Sequence, residues 1–181
     1  MSTPRTPAKP HRRRTITGVA LAALLAGAGT VLAAPPAAAA DAVTVGYTCT
    51  GPGAPDGVQS LLVTVTAPAN APKGSTADLS VEVTTAMTVP VDVPAGAATG
   101  ELALDLGGAA SGSVTATGFT STAAIPSGST VTLTGGAASV RLDAAGTTTL
   151  TPGEATVHVF GVTVTCAVSG TAPVAATIDV T

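Results

Sequence analysis

Aromatic and charged side chains are scarce in this chain. Its 181 residues include no tryptophan, one tyrosine and two phenylalanines, and only 9% are Asp, Glu, Lys or Arg. The core tryptophan that marks antibody-type domains is therefore missing. Sugar-binding sites commonly use aromatic faces, so this composition disfavours both a glycosidase and a carbohydrate-binding module.

Residue types that act as nucleophiles or bind metals are also few. Cys49 and Cys166 are the only cysteines, and His158 is the only histidine after residue 40. Zinc sites need clustered His and Cys, and nucleophilic hydrolysis needs a base beside Ser or Cys. His158 lies between two valines of an alternating stretch, which predicts an outward position on a strand. We therefore predict no catalytic, cofactor-binding or metal-binding residues.

Carboxylates are the one reactive group present in number. The ten acids all follow residue 40 and are Asp41, Asp56, Asp78, Glu82, Asp92, Glu101, Asp105, Asp143, Glu154 and Asp179. A close pair could hydrolyse glycosides, and distant acids such as Asp56 and Asp143 could assemble a calcium site. Most are expected to be solvated surface groups that keep the protein soluble.

The N-terminal 40 residues have the pattern of an export signal. Five basic residues lie within the first 14, residues 16–32 are uncharged and rich in Ala and Leu, and an alanine run follows at 37–40. This order predicts a signal peptide over 1–40, with cleavage between Ala40 and Asp41. An uncleaved anchor is the alternative, although the apolar stretch is short for a span. Arg13-Arg14 leaves the twin-arginine route open beside the general secretory route.

Cleavage would leave a strongly acidic domain. Residues 41–181 contain Lys73 and Arg141 as their only basic side chains against ten acids, a formal charge of −8. Nucleic-acid binding requires clustered Lys and Arg, so it is excluded as a function. Binding to anionic membranes is disfavoured for the same reason, and no stable membrane insertion is expected after cleavage. The expected location is extracellular, in the medium or associated with the cell surface.

Alternation of apolar and polar residues dominates the chain after residue 40. Val and Thr favour strands, and Gly and Pro favour the turns between them. Strands are predicted at 43–49, 58–66, 78–87, 88–93 (an edge strand interrupted by Pro90), 100–106, 113–119, 129–134, 138–142, 147–150, 154–168 and 173–180. Gly135-Gly136 is predicted to be a tight reversal, and Pro152-Gly153 to end a strand. The alternating valines lie at odd-numbered positions before Gly161 (Val157, Val159) and at even-numbered positions after it (Val162, Val164). This change in which residues point inward predicts a β-bulge or a crossing between sheets.

Residues 41–181 are predicted to form a single all-β domain. Many short strands with regular turns indicate an immunoglobulin-like two-sheet sandwich, with a small closed barrel as the alternative. Cys49 and Cys166 both fall at inward positions of alternating strands. In an exported chain they predict one disulfide that joins the first strand to a late one and one sheet to the other.

Several short stretches together suggest a relationship. They are Tyr47-Thr48-Cys49, the run 63–67, the segments 144–147 and 150–153, the late Cys166, and 172–176. This combination resembles a group of actinobacterial exported domains of unknown function with a Tyr-x-Cys opening and one distant cysteine partner. The resemblance implies an exported β-sandwich and supplies no catalytic residues.

These observations predict a non-enzymatic secreted or cell-surface protein with a structural or adhesive role, whose partners could be cell-surface components. A module that binds a small ligand or glycan is the alternative. A hydrolase with an unrecognised carboxylate pair is the weaker one. An exposed apolar patch would favour the binding module, and a cleft with convergent carboxylates would favour the enzyme.

Overall fold

The computed structural model describes residues 37–38 and 42–181, and the fold there is all-β. Its strands are β1 (Ala37–Ala38), β2 (Val43–Thr50), β3 (Val58–Pro68), β4 (Asn70–Ala71), β5 (Thr76–Thr88), β6 (Ala98–Gly108), β7 (Gly112–Thr120), β8 (Thr130–Arg141), β9 (Gly146–Val159), β10 (Val162–Val168) and β11 (Ala176–Val180). Across these residues no helix has the length and apolar character needed to cross a membrane.

Eight of the strands form a closed hydrogen-bonded circuit in the order β2-β3-β5-β8-β7-β6-β9-β10 and back to β2. Two ladders of this circuit are shorter than the rest: β7–β8 has two residue pairs and β10–β2 has four. They divide the circuit into two four-stranded sheets, β2-β3-β5-β8 and β7-β6-β9-β10. The predicted sandwich is thus confirmed, and its two sheets are joined at both edges as in the barrel alternative.

The core lies between these sheets and comes from the predicted alternation. In β3, Leu61, Val63 and Val65 are buried, and in β6 Leu102 and Leu104 are buried while Glu101 and Asp105 are exposed. Leu106, predicted to be inward, is only partly buried. The predicted edge strand 88–93 is wrong: Thr88 ends β5, and of the residues that follow only Val93 forms an isolated bridge, with Ile125. Pro90 lies in the middle of this segment and has no backbone N–H to donate to a ladder.

The predicted reversal at Gly135-Gly136 is wrong, because both glycines lie inside the continuous strand β8. The β5–β8 ladder shifts register between Val81 and Val83, opposite Gly136 and Leu133, which places a β-bulge here. Gly135 has φ 80°, as one residue of such a bulge often requires. A Cβ on Gly136 would overlap the ring of buried Phe119. Glycine is therefore used here to accept an aromatic ring rather than to turn the chain.

The predicted long strand 154–168 is also wrong, because the chain reverses at Phe160-Gly161. Val159 pairs with Val162, so β9 and β10 form a hairpin with a two-residue loop. Both loop residues have positive φ, 51° and 78°, which is the geometry of a type I′ turn. The parity shift near Gly161 comes from this turn, and neither a bulge nor a sheet crossing is needed.

Pro152-Gly153 does not end a strand, because β9 runs through it without interruption. The β6–β9 ladder shifts register there, with Leu102 opposite Ala155 and Leu104 opposite Pro152. The missing amide proton of Pro152 is accommodated at this irregularity. One edge of β9 has two partners: its first half pairs antiparallel with β11, and its second half pairs with β10. The short strand β4 pairs in parallel with β11.

The proposed cleavage site at Ala40 and Asp41 lies outside the described residues, as does most of the segment 1–40. Ala37 and Ala38 are described, and their backbone pairs antiparallel with Pro68 and Ala67 of β3.

Thr148 in β9 supplies a test of core polarity. It is 1% exposed, and its hydroxyl oxygen has no hydrogen-bond partner among the described residues. Valine has nearly the same shape and no hydroxyl, so Thr148→Val should raise the free energy of unfolding by about 1 kcal/mol. Urea denaturation measures this change. A loss of stability of similar size would show that the hydroxyl has a hydrogen-bonding role in the folded protein.

Candidate functional site

The two predicted disulfide residues are bonded to each other. Cys49 in β2 and Cys166 in β10 are directly opposite in the ladder, with a Cα–Cα distance of 3.9 Å and a sequence separation of 117 residues. Both are buried, at 8% and 2% exposure. The bond joins the two sheets as predicted, but it does so at the short β10–β2 edge rather than across the core.

Tyr47 lies on β2, the strand of Cys49, and connects it to the opposite sheet. Its side chain is fully buried, and its hydroxyl donates a 2.9 Å hydrogen bond to the carbonyl oxygen of Gly153 in β9. The register irregularity around Pro152-Gly153 lies at this point of β9. Burial, and secondly the charge of Asp105, raise the pKa of Tyr47 from 10.0 to about 12. Tyr47 therefore acts as a neutral structural donor, two residues from the disulfide.

This raised pKa predicts a loss of stability in alkali. The neutral phenol is favoured by folding, so its contribution is fully present below pH 10, the unfolded pKa, and is lost as pH rises through about 12. Tyr47 is the only tyrosine, so near-ultraviolet phenolate absorbance reports it alone. We expect ionisation of the native protein near pH 12, and Tyr47→Phe should remove this part of the pH dependence. Ionisation of the folded protein near pH 10 would contradict the buried donor.

The carboxylates are dispersed over the surface, and several hold local structure. All nine described acids are exposed. The side-chain contacts that the structure shows for them are Ser139 donating to Asp78, the amide of Ser127 to Asp92, Thr147 to Asp179, and the Arg141–Asp143 ion pair at 3.0 Å. Asp143 is paired with Arg141, and Asp56 lies in the β2–β3 loop at the opposite end of the sandwich. The two acids named above for a possible calcium site therefore lie far apart.

His158 lies on the β9–β10 hairpin, where its Nδ1 is 3.0 Å from the hydroxyl of Thr163 on the opposite strand. This contact links the two strands of the hairpin. Within the described part of the chain, His, Cys, Asp and Glu do not gather in groups of three that could hold a metal ion.

Several exposed apolar side chains lie at one end of the sandwich, which we call the hairpin end. The strand registers bring four connections together there: 51–57, 89–97, 121–129 and the hairpin loop 160–161. Phe160 is 59% exposed, Val91 55% and Val162 37%. These four connections contain Asp56 and Asp92 and no basic residue. The other two aromatic residues of the chain are buried, so Phe160 is exceptional in being exposed.

A groove of about 510 Å³ lies at the opposite end, where β3 and β5 separate beyond the Thr66–Ser80 pair. It is lined by Thr66, Ala67, Pro68, Asn70, Ala71, Pro72, Ser75, Thr76, Ala77, Asp78, Leu79 and Ser80. Lys73 lies within the loop that borders it. This lysine is exposed and makes no salt bridge with the described residues.

No protein-family model, curated protein or solved structure matches this chain. The features that the sequence did not predict are the hairpin tip, the groove and the Tyr47–Gly153 bond. Only the hairpin loop Phe160-Gly161 had a local signal in the sequence. A two-residue turn between two alternating segments moves the inward-facing positions from odd-numbered to even-numbered residues. The bond joins residues 106 apart, and the groove depends on where two strands separate.

Proposed function

We propose that this chain is a secreted or cell-surface, non-enzymatic protein with a structural or adhesive role. The observation that supports it best is the buried Cys49–Cys166 bond between β2 and β10. Such bonds form and persist in oxidising compartments outside the cytosol. The basic, apolar and small-residue order of segment 1–40 supports the same location.

The use of the polar side chains supports the non-enzymatic part of the proposal. The acids for which side-chain contacts are seen bind neighbouring strands and loops, and the one histidine of the domain bonds to its own hairpin. General acid–base catalysis requires such groups to converge on a reacting atom. The contacts of Asp78, Asp92, Asp179 and His158 hold strands and loops together instead.

Export is tested by expressing the full chain in a bacterial host that secretes proteins and measuring the intact mass of the product. We expect protein in the medium or on the cell surface that begins at Asp41 and contains no free thiol. A Leu24→Arg, Leu25→Arg double variant breaks the apolar segment and should keep the chain in the cytosol. Recovery of the uncleaved chain only in membranes would contradict the proposal.

Catalysis is tested by incubating the secreted protein with chromogenic esters, phosphate esters and glycosides. We expect no turnover above the level of a heat-denatured control. Turnover that disappears when one surface acid is replaced by its amide would contradict the non-enzymatic assignment and identify the hydrolase alternative.

The groove between β3 and β5 favours a second candidate, a module that binds a small ligand or glycan. Its volume of about 510 Å³ is within the range of ligand pockets. A glycan array probed with the secreted protein tests this candidate. Specific binding that Ser80→Trp abolishes would support it, because Ser80 is exposed and lines the groove.

A further inference from the structure

The sheet β2-β3-β5-β8 is incomplete at the end beside the groove. The ladder between β3 and β5 stops at the pair Thr66–Ser80, while the ladder between β5 and β8 extends to Thr76. Among the described residues, segment 76–79 of β5 therefore has β8 on one edge and the groove on the other. The pairs of β1 with β3 continue the register of β2, so β1 follows the edge of β3 that faces away from β5.

The groove edge of segment 76–79 has free backbone groups. Successive residues of an antiparallel strand direct their N–H and C=O groups to alternate edges, so the ladder with β8 uses only half of them. The loop hydrogen bonds seen in the described part of the chain do not reach the backbone of 76–79. Such an edge is a template for an added strand, and extended peptides bind proteins in this way.

The side chains of this edge differ between its two faces. Ala77 and Leu79 are each 3% exposed and point towards the core, whereas Thr76 and Asp78 are exposed on the outer face. A strand that pairs with this edge would alternate in the same way. Its inner residues would contact the buried apolar side chains, and an outer residue would lie beside Asp78.

The charge of this end favours a basic side chain at the outer position. Asp78 lines the groove, accepts a hydrogen bond from Ser139 and forms no salt bridge within the described chain. Glu82 is exposed two residues beyond Ser80 on the same face of β5. Opposite charges across a strand pair are favourable and like charges are unfavourable. The formal charge of −8 after residue 40 attracts a basic partner further.

We infer that the groove binds an extended peptide segment of another exported protein as an added strand on β5. The segment lies in line with β3, beyond the last pair of β3 with β5, and its backbone pairs with 76–79. It alternates small apolar residues, which face the core, with Lys or Arg, of which one faces Asp78. This inference rests on the adhesive role proposed above and gives that role a partner of defined chemistry.

Synthetic peptides and amide hydrogen exchange of the secreted protein, followed by NMR, provide the test. The probe is the capped peptide Ala-Lys-Val-Lys-Ala-Thr. One control has Glu in place of both Lys, and the other has methyl groups on its backbone nitrogens. We expect the probe to slow exchange within 76–79 and to bind at least about tenfold more tightly than either control.

A charge reversal tests the outer position of the edge. Asp78→Lys should weaken binding of the Lys peptide at least about threefold and strengthen binding of the Glu peptide. Asp78→Asn keeps an acceptor for Ser139 and should weaken binding of the Lys peptide in the same direction. Asp56→Lys is the matched control, because it changes the net charge equally at the hairpin end, and the preference for the Lys peptide should remain. Thermal unfolding establishes that the variants are folded.

Unchanged exchange of 76–79 at millimolar Lys peptide would overturn the inference while leaving secretion and the disulfide untouched. Equal binding of the methylated peptide, or of spermine, would show attraction by charge alone and would also reject it. Glycan binding that the Lys peptide does not displace would assign the groove to the second candidate. Protection of 76–79 that rises with protein concentration alone would assign the edge to a second copy and reject a partner segment.

Discussion

Removal of the Cys49–Cys166 disulfide should destabilise the folded domain more than any other change described above. The bond closes a loop of 117 residues. For a loop of this length the chain-entropy account gives about 4 to 5 kcal/mol, as an upper value. The bond also crosses the β10–β2 ladder, which has only four residue pairs, so its loss weakens one of the two edges that join the sheets.

This effect is measured by thermal unfolding of the oxidised protein against the same protein after reduction. We expect the melting temperature to fall by roughly 10 °C or more. The double variant Cys49→Ala, Cys166→Ala should behave similarly, with a further loss because both side chains are buried. A melting temperature that is unchanged on complete reduction would contradict the role of the bond in stability.

Gly136→Ala should produce the second large effect. The added Cβ would overlap the ring atoms of Phe119, which is 2% exposed and cannot move into solvent without opening the core. Overpacking of this kind typically costs about 1–3 kcal/mol. Denaturant unfolding of the single variant measures this loss.

A double-mutant cycle separates this clash from a general intolerance of β8 to substitution. In a Phe119→Leu background the ring is absent, so Gly136→Ala should lose less than about 1 kcal/mol. Equal losses in both backgrounds would show that Gly136 is required for its backbone alone and would contradict the packing explanation of the bulge.

The predicted strands succeeded where one face is buried along the whole length. Leu61, Val63 and Val65 in β3, and Leu79, Val81 and Val83 in β5, alternate without interruption and are all buried. Burial of one face strongly specifies which residues are inward, because a shift by one residue would expose the entire apolar set. The sequence therefore predicted these strands and their inward residues.

The predictions failed at pairs of glycine or proline residues, where local sequence permits more than one structure. Gly135-Gly136 is a bulge and Phe160-Gly161 is a turn, although the expectations were the reverse. The choice at Gly136 depends on Phe119, which arrives from another strand and needs the space of the missing side chain. At Phe160 the usual Asn-Gly signal of the turn is absent.

The disulfide partners of the candidate site were predictable, because an exported chain with two inward cysteines has one possible bond. That the two are ladder neighbours was not predictable, since it depends on the closure of β10 onto β2. The Tyr47–Gly153 bond and the groove arise from contacts between strands far apart in sequence. No periodicity in a single segment contains that information.

The central claim is that the protein is an exported β-sandwich closed by one disulfide between β2 and β10. Thiol titration of the natively secreted protein tests this claim most directly. The protein is unfolded without reductant and treated with a thiol reagent, and a parallel sample is reduced first. We predict no reaction in the first sample and two equivalents in the second, with a single peptide linking Cys49 and Cys166 after digestion. Two reactive equivalents without reductant would contradict the bond and the extracellular location inferred from it.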